Sequence, residues 1–470
     1  LERGNYSYDK AVLGSYRDFI PDQYVLGYHL VAEGRRLYGP KLWEHVLNSV
    51  ARRPYMVTPF QKGIKDISGK RKIPFYEECM LNLSNRWEKQ DSALDINMSG
   101  YDEDHRKHYT SYRHPAFLGD GSVLAMRSSI DDIIRFVRIS GDGKEDIVHT
   151  PGLIKQETLS FASGKLCWAE THPDPRWSNR SYTFIKILDV EQGKVKTIQH
   201  KKRYLAPVLS DDATKVAAVC VDSLDRFSIV ILDGGNGEVL NKIYTDENTY
   251  PLTPAWAGDE QLLTIQVSDK GKSLQRIEIY SGKSEILLPW TYIEMSQAVY
   301  HEPYIYIVGS WSGISNIYRL DPEKGGVAMV TQSRFGAVDP HLSSDGNTLM
   351  FADYRAKGYR IHEVDLSDAR PVKLSQEGSN VLADVLAEQE DLMPPGSSVQ
   401  PAENPSRKYS KIGNLFNFHS WAPLDINANN YTINPGISIM SQNLLSSSFL
   451  SVGYNYNVNE QLGKFYGTYT

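Results

Sequence analysis

The chain has little cysteine and no long apolar run. Its 470 residues include three widely spaced cysteines, Cys79, Cys167 and Cys220. This spacing argues against a disulfide framework and against a cysteine-based zinc site, so we expect three buried structural thiols. No window approaches the roughly 18 uninterrupted apolar residues that a transmembrane helix requires. Any insertion into a membrane is therefore expected to use β-strands.

An excess of basic charge is also absent. The formal net charge is −6 and the pI is near 6.1, whereas proteins that bind nucleic acid present concentrated basic surfaces. We therefore expect no nucleic-acid partner. With 41% hydrophobic and 23% charged residues, the composition is that of a folded chain with a core. The chain begins Leu1-Glu2-Arg3, with neither methionine nor signal peptide, so we expect an internal piece of a longer precursor.

Two motifs that would indicate a peptidase are missing. A His-Glu-x-x-His helix, which holds zinc and carries a general base, does not occur, because His301-Glu302 and His362-Glu363 lack the second histidine. A Gly-x-Ser-x-Gly nucleophile elbow is approached only by Gly309–Gly313, which has tryptophan in place of the serine. This segment is predicted to be a turn between strands. We therefore predict no catalytic residue, no metal ligand and no cofactor in these 470 residues.

Residues 20 to 90 are predicted to be helical. Apolar residues recur there at steps of three to four, as in an amphipathic helix. These positions are Tyr24, Leu26, Leu30, Val31, Leu42, Val46, Val50, Tyr76, Cys79, Met80 and Leu83. Pro40, Pro54 and Pro74 separate the helices, and Pro74 is expected to start the last one. The stretch from Met56 to Gly69 is expected to connect two helices.

From His114 onward the sequence changes to short alternating strands with a recurring turn. Four times a proline precedes a turn that contains aspartate. The pairs are Pro115 with Gly119-Asp120-Gly121, Pro207 with Ser210-Asp211-Asp212, Pro254 with Gly258-Asp259-Glu260, and Pro340 with Ser344-Asp345-Gly346. The prolines are separated by about two, one and two multiples of roughly 45 residues, and weaker copies at Thr158–Trp168 and Gln297–Val308 fill the gaps. The aspartates are expected to cap tight turns rather than to bind a metal.

Each copy repeats one order of strands. A turn is followed by a strand such as Lys215–Val221, then by one such as Phe227–Leu232, a glycine-rich turn and a short last strand. The strands that correspond to Phe227–Leu232 are Ile133–Ile139, Tyr182–Leu188, Leu274–Tyr280, Ile314–Leu320 and Tyr359–Val364. Repeated four-stranded units of about 40 to 50 residues are typical of a β-propeller. We predict a mainly β fold, with a six-bladed β-propeller over residues 108–376, a small α-helical region before it and β-barrel-type strands after it.

The segment after the predicted propeller is rich in proline, serine, glutamate and glutamine. It runs from Ser375 to Asn404, with Pro394–Ser398 at its centre. Such a composition cannot bury enough apolar surface to order itself, so residues 377–408 are predicted to be a flexible linker.

The last sixty residues alternate between apolar and polar side chains. Between Phe449 and Val458 one side carries Leu450, Val452, Tyr454, Tyr456 and Val458, and the other carries Ser451, Gly453, Asn455 and Asn457. Tyr409–Trp421, Gly436–Met440 and Phe465–Tyr469 are three further candidate strands. This pattern fits a strand of an outer-membrane barrel and equally an edge or sandwich strand of a soluble β domain. Because barrels begin at eight strands, residues 409–470 are expected to be the first strands of a truncated barrel.

Parts of the sequence resemble a known group of proteins. The turns of the Pro-x-x-Ser-x-Asp-Gly type resemble those of TolB-like and related WD-type propellers, and Asn414–Trp421 resembles the barrel entry of large Bacteroidetes outer-membrane proteins. In that group a zinc-peptidase-like region precedes the propeller, and Tyr24–Trp87 is similar to the helices that follow its active site. The resemblance implies that residues 1–107 are the remnant of such a domain. Any metallopeptidase site that it implies would lie upstream of residue 1, so whether the protein is an enzyme stays open.

Two further sets of side chains have alternative readings. His105, His108 and His114 lie near Asp102, Glu103 and Asp104, which could together bind a divalent ion. A hydrated, charged connector into the propeller explains the same residues, and we favour it. The tryptophans of the predicted blades are expected to fill the space between blades, although one or two at a propeller mouth could stack against a sugar or a peptide. They are Trp168, Trp177, Trp256, Trp290 and Trp311.

The order of these parts predicts a binding protein. A propeller offers a rigid rim of loops around a central mouth, where we expect a protein or peptide partner. The predicted location is the outer membrane, with the propeller in the periplasm and the C-terminal strands in the bilayer. The rival interpretation is a secreted or periplasmic protein related to zinc peptidases, whose propeller gates peptide substrates and whose last residues form a soluble appendage.

Overall fold

The computed structural model describes residues 6–53, 56–94, 107–155, 158–177, 179–374, 381–389, 408–427 and 432–470. These residues fall into two compact units. One unit contains residues 9–20 and the described part of 87–380. The other contains residues 6–8, 21–86 and the described part of 381–470.

Helices dominate the first ninety residues, as their periodicity predicts. The helices of this region are α1 (Tyr8–Leu13), α2 (Val25–Tyr38), α3 (Leu42–Arg52), α4 (Pro59–Ser68) and α5 (Lys72–Asp91). A further helix, α6 (Val381–Ala387), follows the strands of the larger unit in the sequence. The prediction that Met56–Gly69 is only a connection is wrong, because α4 occupies most of it. Pro59 stands at the start of this helix, where its missing N–H costs little, and Gly69 ends it with a left-handed φ of 72°.

A small apolar core holds the helices together. It contains Leu42, Val46, Ile64, Phe75 and Cys79, all buried. The close approach of α3 and α4 requires glycine at one position. A Cβ on Gly63 would lie 2.9 Å from the Cα of Val46, so the two backbones meet there without a side chain between them.

The helix α6 corrects the linker prediction for the residues that it contains. Val381–Ala387 reads VLADVLA, and its leucines and alanines are good helix formers. The average composition of the whole segment did not indicate this short helix. Pro394–Ser398, at the centre of the predicted linker, lies outside the described residues.

The larger unit consists of antiparallel strands in chain order. These are β1 (Thr110–Phe117), β2 (Val123–Ser129), β3 (Arg135–Ile139), β4 (Glu145–His149), β5 (Leu159–Ala162), β6 (Lys165–Pro173), β7 (Ser181–Asp189), β8 (Lys194–Leu209), β9 (Lys215–Val221), β10 (Phe227–Asp233), β11 (Val239–Tyr244), β12 (Tyr250–Trp256), β13 (Gln261–Ser268), β14 (Gly271–Glu278), β15 (Ser284–Thr291), β16 (Met295–His301), β17 (Tyr304–Gly309), β18 (Asn316–Leu320), β19 (Val327–Met329), β20 (Ala337–Leu342), β21 (Thr348–Arg355), β22 (Gly358–Asp365) and β23 (Arg370–Pro371).

Hydrogen bonding divides these strands into six groups. They are β1–β4, β5–β8, β8–β11, β12–β15, β16–β19 and β20–β22, and β23 adds to the edge of the fifth. The long strand β8 belongs to both the second and the third group, so these two form one seven-stranded sheet. The predicted strands Lys215–Val221 and Phe227–Leu232, and the five that correspond to the latter, are confirmed to within a few residues.

Apolar clusters join each group to the next and the last to the first. For example, Phe136 of the first group packs with Trp168 of the second, and Ile307 of the fifth group packs with Leu263 of the fourth. Ile361 of the sixth group packs against Tyr112 and other residues of the first. We call strands β1 to β22 the strand ring, because their contacts close on themselves.

Polar contacts also close the strand ring. The Thr110 N–H donates to the carbonyl of Lys357 at 2.9 Å, and Arg360 Nη1 donates to the carbonyl of Thr110 at 2.6 Å. The Tyr359 N–H donates to Ser111 Oγ at 3.2 Å. The start of the first group is therefore held by the hairpin of the sixth.

The C-terminal residues form a separate four-stranded antiparallel sheet. Its strands are β24 (Phe418–Asn427), β25 (Thr432–Gln442), β26 (Phe449–Asn457) and β27 (Leu462–Tyr469), in that order. The first strand starts later than Tyr409, because Ser410 draws the chain into a turn by accepting bonds from the N–H groups of Gly413 and Asn414. Four strands were predicted and four are found.

Candidate functional site

Every strand group contributes its first strand to one central cavity. In the second and third groups these are β5 and the final part of β8. The cavity has a volume of about 320 Å³ and is lined by residues from all six inner strands. The prolines of the sequence repeat, Pro115, Pro207, Pro254 and Pro340, are among the lining residues. The repeat noticed in the sequence therefore places one stretch of each copy at the centre of the strand ring.

A bulge interrupts most of these inner strands next to the cavity. The strand register shifts between Arg113 and Ala116 in β1, and comparable shifts occur in β8, β12, β16 and β20. His114, Ala206 and Asp339 have φ values of 50°, 46° and 57°, although a residue before proline ordinarily adopts an extended conformation. A bulge re-aims the side chains around it. This local conformation brings the residue before each repeat proline to the cavity wall.

A buried carboxylate is the most heavily bonded group at the cavity. Asp339 Oδ2 accepts from Arg113 Nε and from the His114 N–H, and Oδ1 accepts from Arg113 Nη2 and Gln297 Nε2. His114 Nδ1 lies 3.2 Å from Oδ1, and the side chain of Asp339 is only 1% exposed. Burial raises the pKa of Asp339, but the charges of His114 and Arg113 and the hydrogen bonds outweigh burial and hold that pKa far below its usual range.

An imidazole also lines the cavity. His341 lies beside the rings of Phe117 and Phe161, at centroid distances of 5.9 Å and 6.3 Å. Its Nδ1 accepts the Phe117 N–H at 3.5 Å, so the proton of the neutral ring is on Nε2. Desolvation by the surrounding protein lowers the pKa of His341 to about 4. The ring is therefore neutral at pH 7.

Two threonines of the cavity lining have buried hydroxyl groups. These are Thr158 and Thr253. Within the part of the chain that the structure describes, neither hydroxyl has a hydrogen-bond partner. Buried polar atoms in native proteins are nearly always satisfied, so these two hydroxyls are exceptions to the usual pattern.

The sequence did not identify the residues of the cavity as one site, although the repeat contains a pattern that relates them. The first residues of the six repeat copies are His114, Thr158, Ala206, Thr253, Gln297 and Asp339. All six line the cavity. Five of them are polar, which is unusual for the start of a buried strand. Alignment of the copies on the position before the proline would have found the site.

The two described histidines of the proposed cluster have different acidic neighbours. His108 Nε2 lies 3.9 Å from Asp131 Oδ2, whereas His114 faces Asp339 at the cavity. His105, Asp102, Glu103 and Asp104 lie outside the described residues. Among the described residues, no group of three or more histidine, cysteine, aspartate or glutamate side chains is arranged to hold a metal ion.

Three aspartates of the repeat turns act as caps. Asp212 accepts from the Thr214 N–H at 3.0 Å and from Ser210 Oγ at 2.7 Å, and these bonds lower its pKa to about 2. Asp120 accepts from the N–H and hydroxyl of Ser122. Asp345 accepts from the Asn347 N–H at 3.1 Å. The local geometry accounts for these carboxylates without a metal.

The peptidase-like fragments of sequence lie in three different places in the strand ring. Gly309–Gly313 forms a turn in which the Gly313 N–H donates to the carbonyl of Ser310, and Trp311 packs on Tyr318. His362 is buried beside Asp353, with Nε2 at 3.8 Å from Oδ2. His301 does line the cavity, at the end of β16.

The tryptophans and cysteines mainly occupy packing positions. Trp168 and Trp256 are buried, and Trp256 Nε1 donates to the carbonyl of Val208 at 3.1 Å. Trp177 is 56% exposed and Trp290 is partly buried. All three cysteines are free and buried, as predicted, and burial raises the pKa of Cys79 to about 12.

Comparison with known proteins finds solved structures that are similar to this chain at low sequence identity. No protein-family model and no curated protein matches the chain. Solved structures that are similar to it include TolB from Acinetobacter baumannii, with 12% identity, 65% of this chain and 72% of that chain covered, and a TM-score of 0.40. The β-propeller domain of the Trilobed protease from Pyrococcus furiosus has 11% identity, coverage of 58% and 100%, and a TM-score of 0.38.

The neighbours also include propeller peptidases. Pyrococcus horikoshii acylaminoacyl peptidase has 10% identity, coverage of 71% of this chain and 58% of that chain, and a TM-score of 0.38. The neighbours thus include TolB-like β-propellers and related propeller peptidases. None of the helices that the structure describes is both long and apolar enough to cross a membrane.

Proposed function

We propose that the protein binds a polypeptide segment at the central cavity of the strand ring. The observation that carries this proposal is a cavity lined by residues from all six inner strands, among them proline rings, small side chains, the buried Asp339, and His341. Its volume of about 320 Å³ falls at the lower end of the range for ligand pockets. The inner strands belong to sheets whose faces are packed on their neighbours, so the site is held in a fixed shape.

The proposed architecture is that of a six-bladed propeller. In it, the six strand groups are the blades of a domain over residues 108–376, and residues 1–107, 377–408 and 409–470 are the helical region, the linker and the first barrel strands. Six apolar clusters support this count, because each lies between two successive groups. The three-stranded sixth group is an incomplete blade in this scheme.

The C-terminal sheet supports a proposed location at the outer membrane. Trp421, Ile439 and Val452 are cross-strand neighbours on one face, and Ile437, Tyr454 and Phe465 are neighbours on the same face. Ile439 is 39% exposed and Phe465 is 86% exposed. A face of this kind suits contact with lipid, with aromatic side chains near the interface. The propeller would then work in the periplasm, next to polypeptides that cross the envelope.

Binding is tested with the full chain immobilised and a random heptapeptide pool. Thr253→Phe places a large ring in the cavity, and we expect it to reduce the retained peptide at least about tenfold. Thr150→Phe is the matched control, because Thr150 is exposed and outside the cavity. Thermal unfolding of both variants checks that each is folded. Equal retention by the two variants would place peptide binding elsewhere on the protein.

Location is tested by fractionation of cells that express the intact protein. We expect recovery in the envelope pellet and release only with detergent. Recovery in the aqueous extract would remove the membrane proposal and would favour the secreted or periplasmic, peptidase-related interpretation.

A further inference from the structure

His341 reaches the middle of the strand ring from the sixth strand group. The centroid of its ring lies 5.9 Å from that of Phe117, in the first group, and 6.3 Å from that of Phe161, in the second. The first group packs between the sixth and the second. Because all three residues belong to inner strands, side chains of the sixth and second groups meet across the inner edge of the first, where the cavity lies.

The two nitrogens of this imidazole have different surroundings. Nδ1 accepts the N–H of Phe117, so the neutral ring carries its proton on Nε2. The two nitrogens of an imidazole point in widely different directions, and Nε2–H is therefore directed away from the backbone of Phe117. Among the described residues no group accepts this proton. Unlike the hydroxyl oxygens of Thr158 and Thr253, which are sealed from solvent, Nε2 keeps accessible surface.

The surroundings of His341 are those of an internal space. The residue is partly accessible, yet desolvation by the surrounding protein depresses its pKa to about 4. A side chain on the outer surface would stay hydrated and would keep an ordinary pKa. The accessible part of the ring therefore faces an enclosed space, and His341 lines the central cavity. Its Nε2–H is a donor at the cavity wall without an acceptor from the described residues.

A second histidine of the lining has a different position. His301 lies at the end of β16, and a Cβ on Gly346 would collide with its Nε2. The ring of His301 therefore packs against the turn that contains Gly346, in the sixth group. Its Nε2 is turned to this rim of the cavity, whereas that of His341 is at the centre.

The lining around the donor is rich in rings. Phe161 and Tyr300 are partly exposed lining residues, and the repeat prolines Pro115 and Pro340 line the same cavity. Such rings pack well against apolar groups of a ligand. A ligand that fills the cavity without offering an acceptor would leave the Nε2–H unsatisfied, which is costly for a buried donor. The site therefore favours an acceptor that is carried by an otherwise apolar segment.

We infer that His341 donates a hydrogen bond from Nε2 to a backbone carbonyl of the polypeptide bound in the cavity. This inference rests on the proposed function and assigns one binding residue to it. A peptide carbonyl is uncharged, as is the imidazole at pH 7. Apolar side chains next to that carbonyl would pack on Phe161 and Tyr300.

Two substitutions separate the donor from the rest of the side chain. The amide of glutamine places an N–H close to the position of Nε2, whereas the shorter asparagine places its amide near Nδ1. His341→Asn therefore removes the donor from the cavity and keeps an acceptor for the Phe117 N–H. His341→Gln retains the donor. His419→Asn is the matched control, at an exposed position of the C-terminal sheet.

The probe is a random heptapeptide pool of glycine, alanine, valine, leucine, phenylalanine and proline, N-acetylated and C-amidated. Its strong acceptors are all amide carbonyls. With immobilised full-length protein at pH 7, we expect His341→Asn to retain about tenfold less of the pool than the parent. His341→Gln and His419→Asn should stay within about threefold of the parent. Thermal unfolding establishes that each variant is folded. If His341→Asn does not fold, His341→Phe, which keeps a planar ring without a donor, is expected to show the same loss.

The outcomes distinguish the inference from the proposed function. Equal retention by the parent and His341→Asn overturns the assignment, and so does an equal loss in His341→Asn and His341→Gln, which would indicate packing by the ring alone. Peptide binding stands in both cases. Retention of the same pool with free carboxyl ends in place of the amidated pool also overturns it, because the acceptor is then a carboxylate. If the parent retains no peptide, or neutral oligosaccharides in place of peptides, the proposed function fails as well.

A spectroscopic measurement observes the donor itself. In protein isotopically labelled at the histidine ring nitrogens, the proton on Nε2 of His341 is assigned by its absence in His341→Asn. We expect its resonance to move downfield when the capped pool is added, because the N–H gains an acceptor. An unchanged resonance, under conditions in which the pool is retained, overturns the assignment.

Discussion

The strand ring and the C-terminal sheet are built from the same kind of strand but place their apolar side chains in different surroundings. In the strand ring, Phe136, Phe351 and Leu349 are fully buried between successive sheets. In the C-terminal sheet, Ile439 and Phe465 are exposed on one face. Alternation of apolar and polar residues therefore predicts a strand and its two faces. It does not predict what covers the apolar face.

Repetition resolves that ambiguity in the strand ring. Each sheet packs against a sheet of the same pattern on both sides, so its apolar faces are covered by apolar faces of the neighbouring sheets. The C-terminal strands have four members and no such repetition in the described residues. Their apolar face requires another partner, and we propose the bilayer.

The largest expected difference between the two regions concerns core stability. Phe351→Ala removes a ring from a fully buried position, and we expect the free energy of unfolding to fall by about 3–5 kcal/mol. Urea denaturation followed by tryptophan fluorescence measures the change. Phe351→Leu, which keeps most of the packing, is expected to cost less than about 1.5 kcal/mol. Equal losses for the two substitutions would contradict tight packing at this interface.

Acid should destabilise the strand ring through His341. Its pKa is about 4 in the folded protein and about 6.5 when unfolded, so the unfolded chain binds more protons between these pH values. Stability contributed by neutral His341 is therefore complete above about pH 6.5 and declines as the pH falls to about 4, by about 3 kcal/mol.

A variant isolates this effect. His341→Asn retains an acceptor for the Phe117 N–H but does not titrate, and we expect a flatter curve of unfolding free energy against pH between 4 and 6.5. His419→Asn, at an exposed position of the C-terminal sheet, should leave the curve unchanged. A parent curve that is already flat would show that His341 is hydrated in solution.

A charge on the apolar face of the C-terminal sheet should impair membrane association. Ile439→Arg is expected to weaken partition into the envelope pellet by about 2 kcal/mol, because an arginine on the lipid face is costly in a membrane strand. Asn455→Arg is the control on the opposite, polar face, and fractionation with detergent release is the measurement. Similar losses for both variants would argue against a lipid-facing side.

The smallest expected effect concerns an exposed aromatic residue of the C-terminal sheet. Phe465 is 86% exposed, so Phe465→Ala should change the free energy of unfolding in aqueous solution by less than about 0.5 kcal/mol. Denaturant unfolding of the full chain tests this. A loss as large as that of Phe351→Ala would show that Phe465 packs against protein.

Regular periodicity made most of the fold predictable. Lys215–Val221 is a short apolar run between turn residues, which predicts a buried strand, and the helices of the first ninety residues follow from steps of three to four. The helix α4 was missed because Phe60, Ile64 and Ile67 give only a short apolar stripe in a polar segment. The helix α6 was missed because composition was averaged over a longer segment.

The candidate site was less predictable because its residues are ordinary in sequence. Thr158 and Thr253 belong to no catalytic motif. Asp339 pairs with Arg113, which is far from it in the sequence. Only the closure of the strand ring brings these positions together. Their shared place in the repeat was visible, but nothing in the sequence showed that the start of each copy lies at the wall of a cavity.

The shared strand β8 has a consequence for motion. Lys194–Leu209 passes from the edge of one sheet to the inner position of the next without a turn. Elsewhere in the strand ring a turn or loop separates one sheet from the next. Here the two sheets share a continuous ladder, so amide protons of β7 and β9 should exchange with solvent together, as one cooperative element.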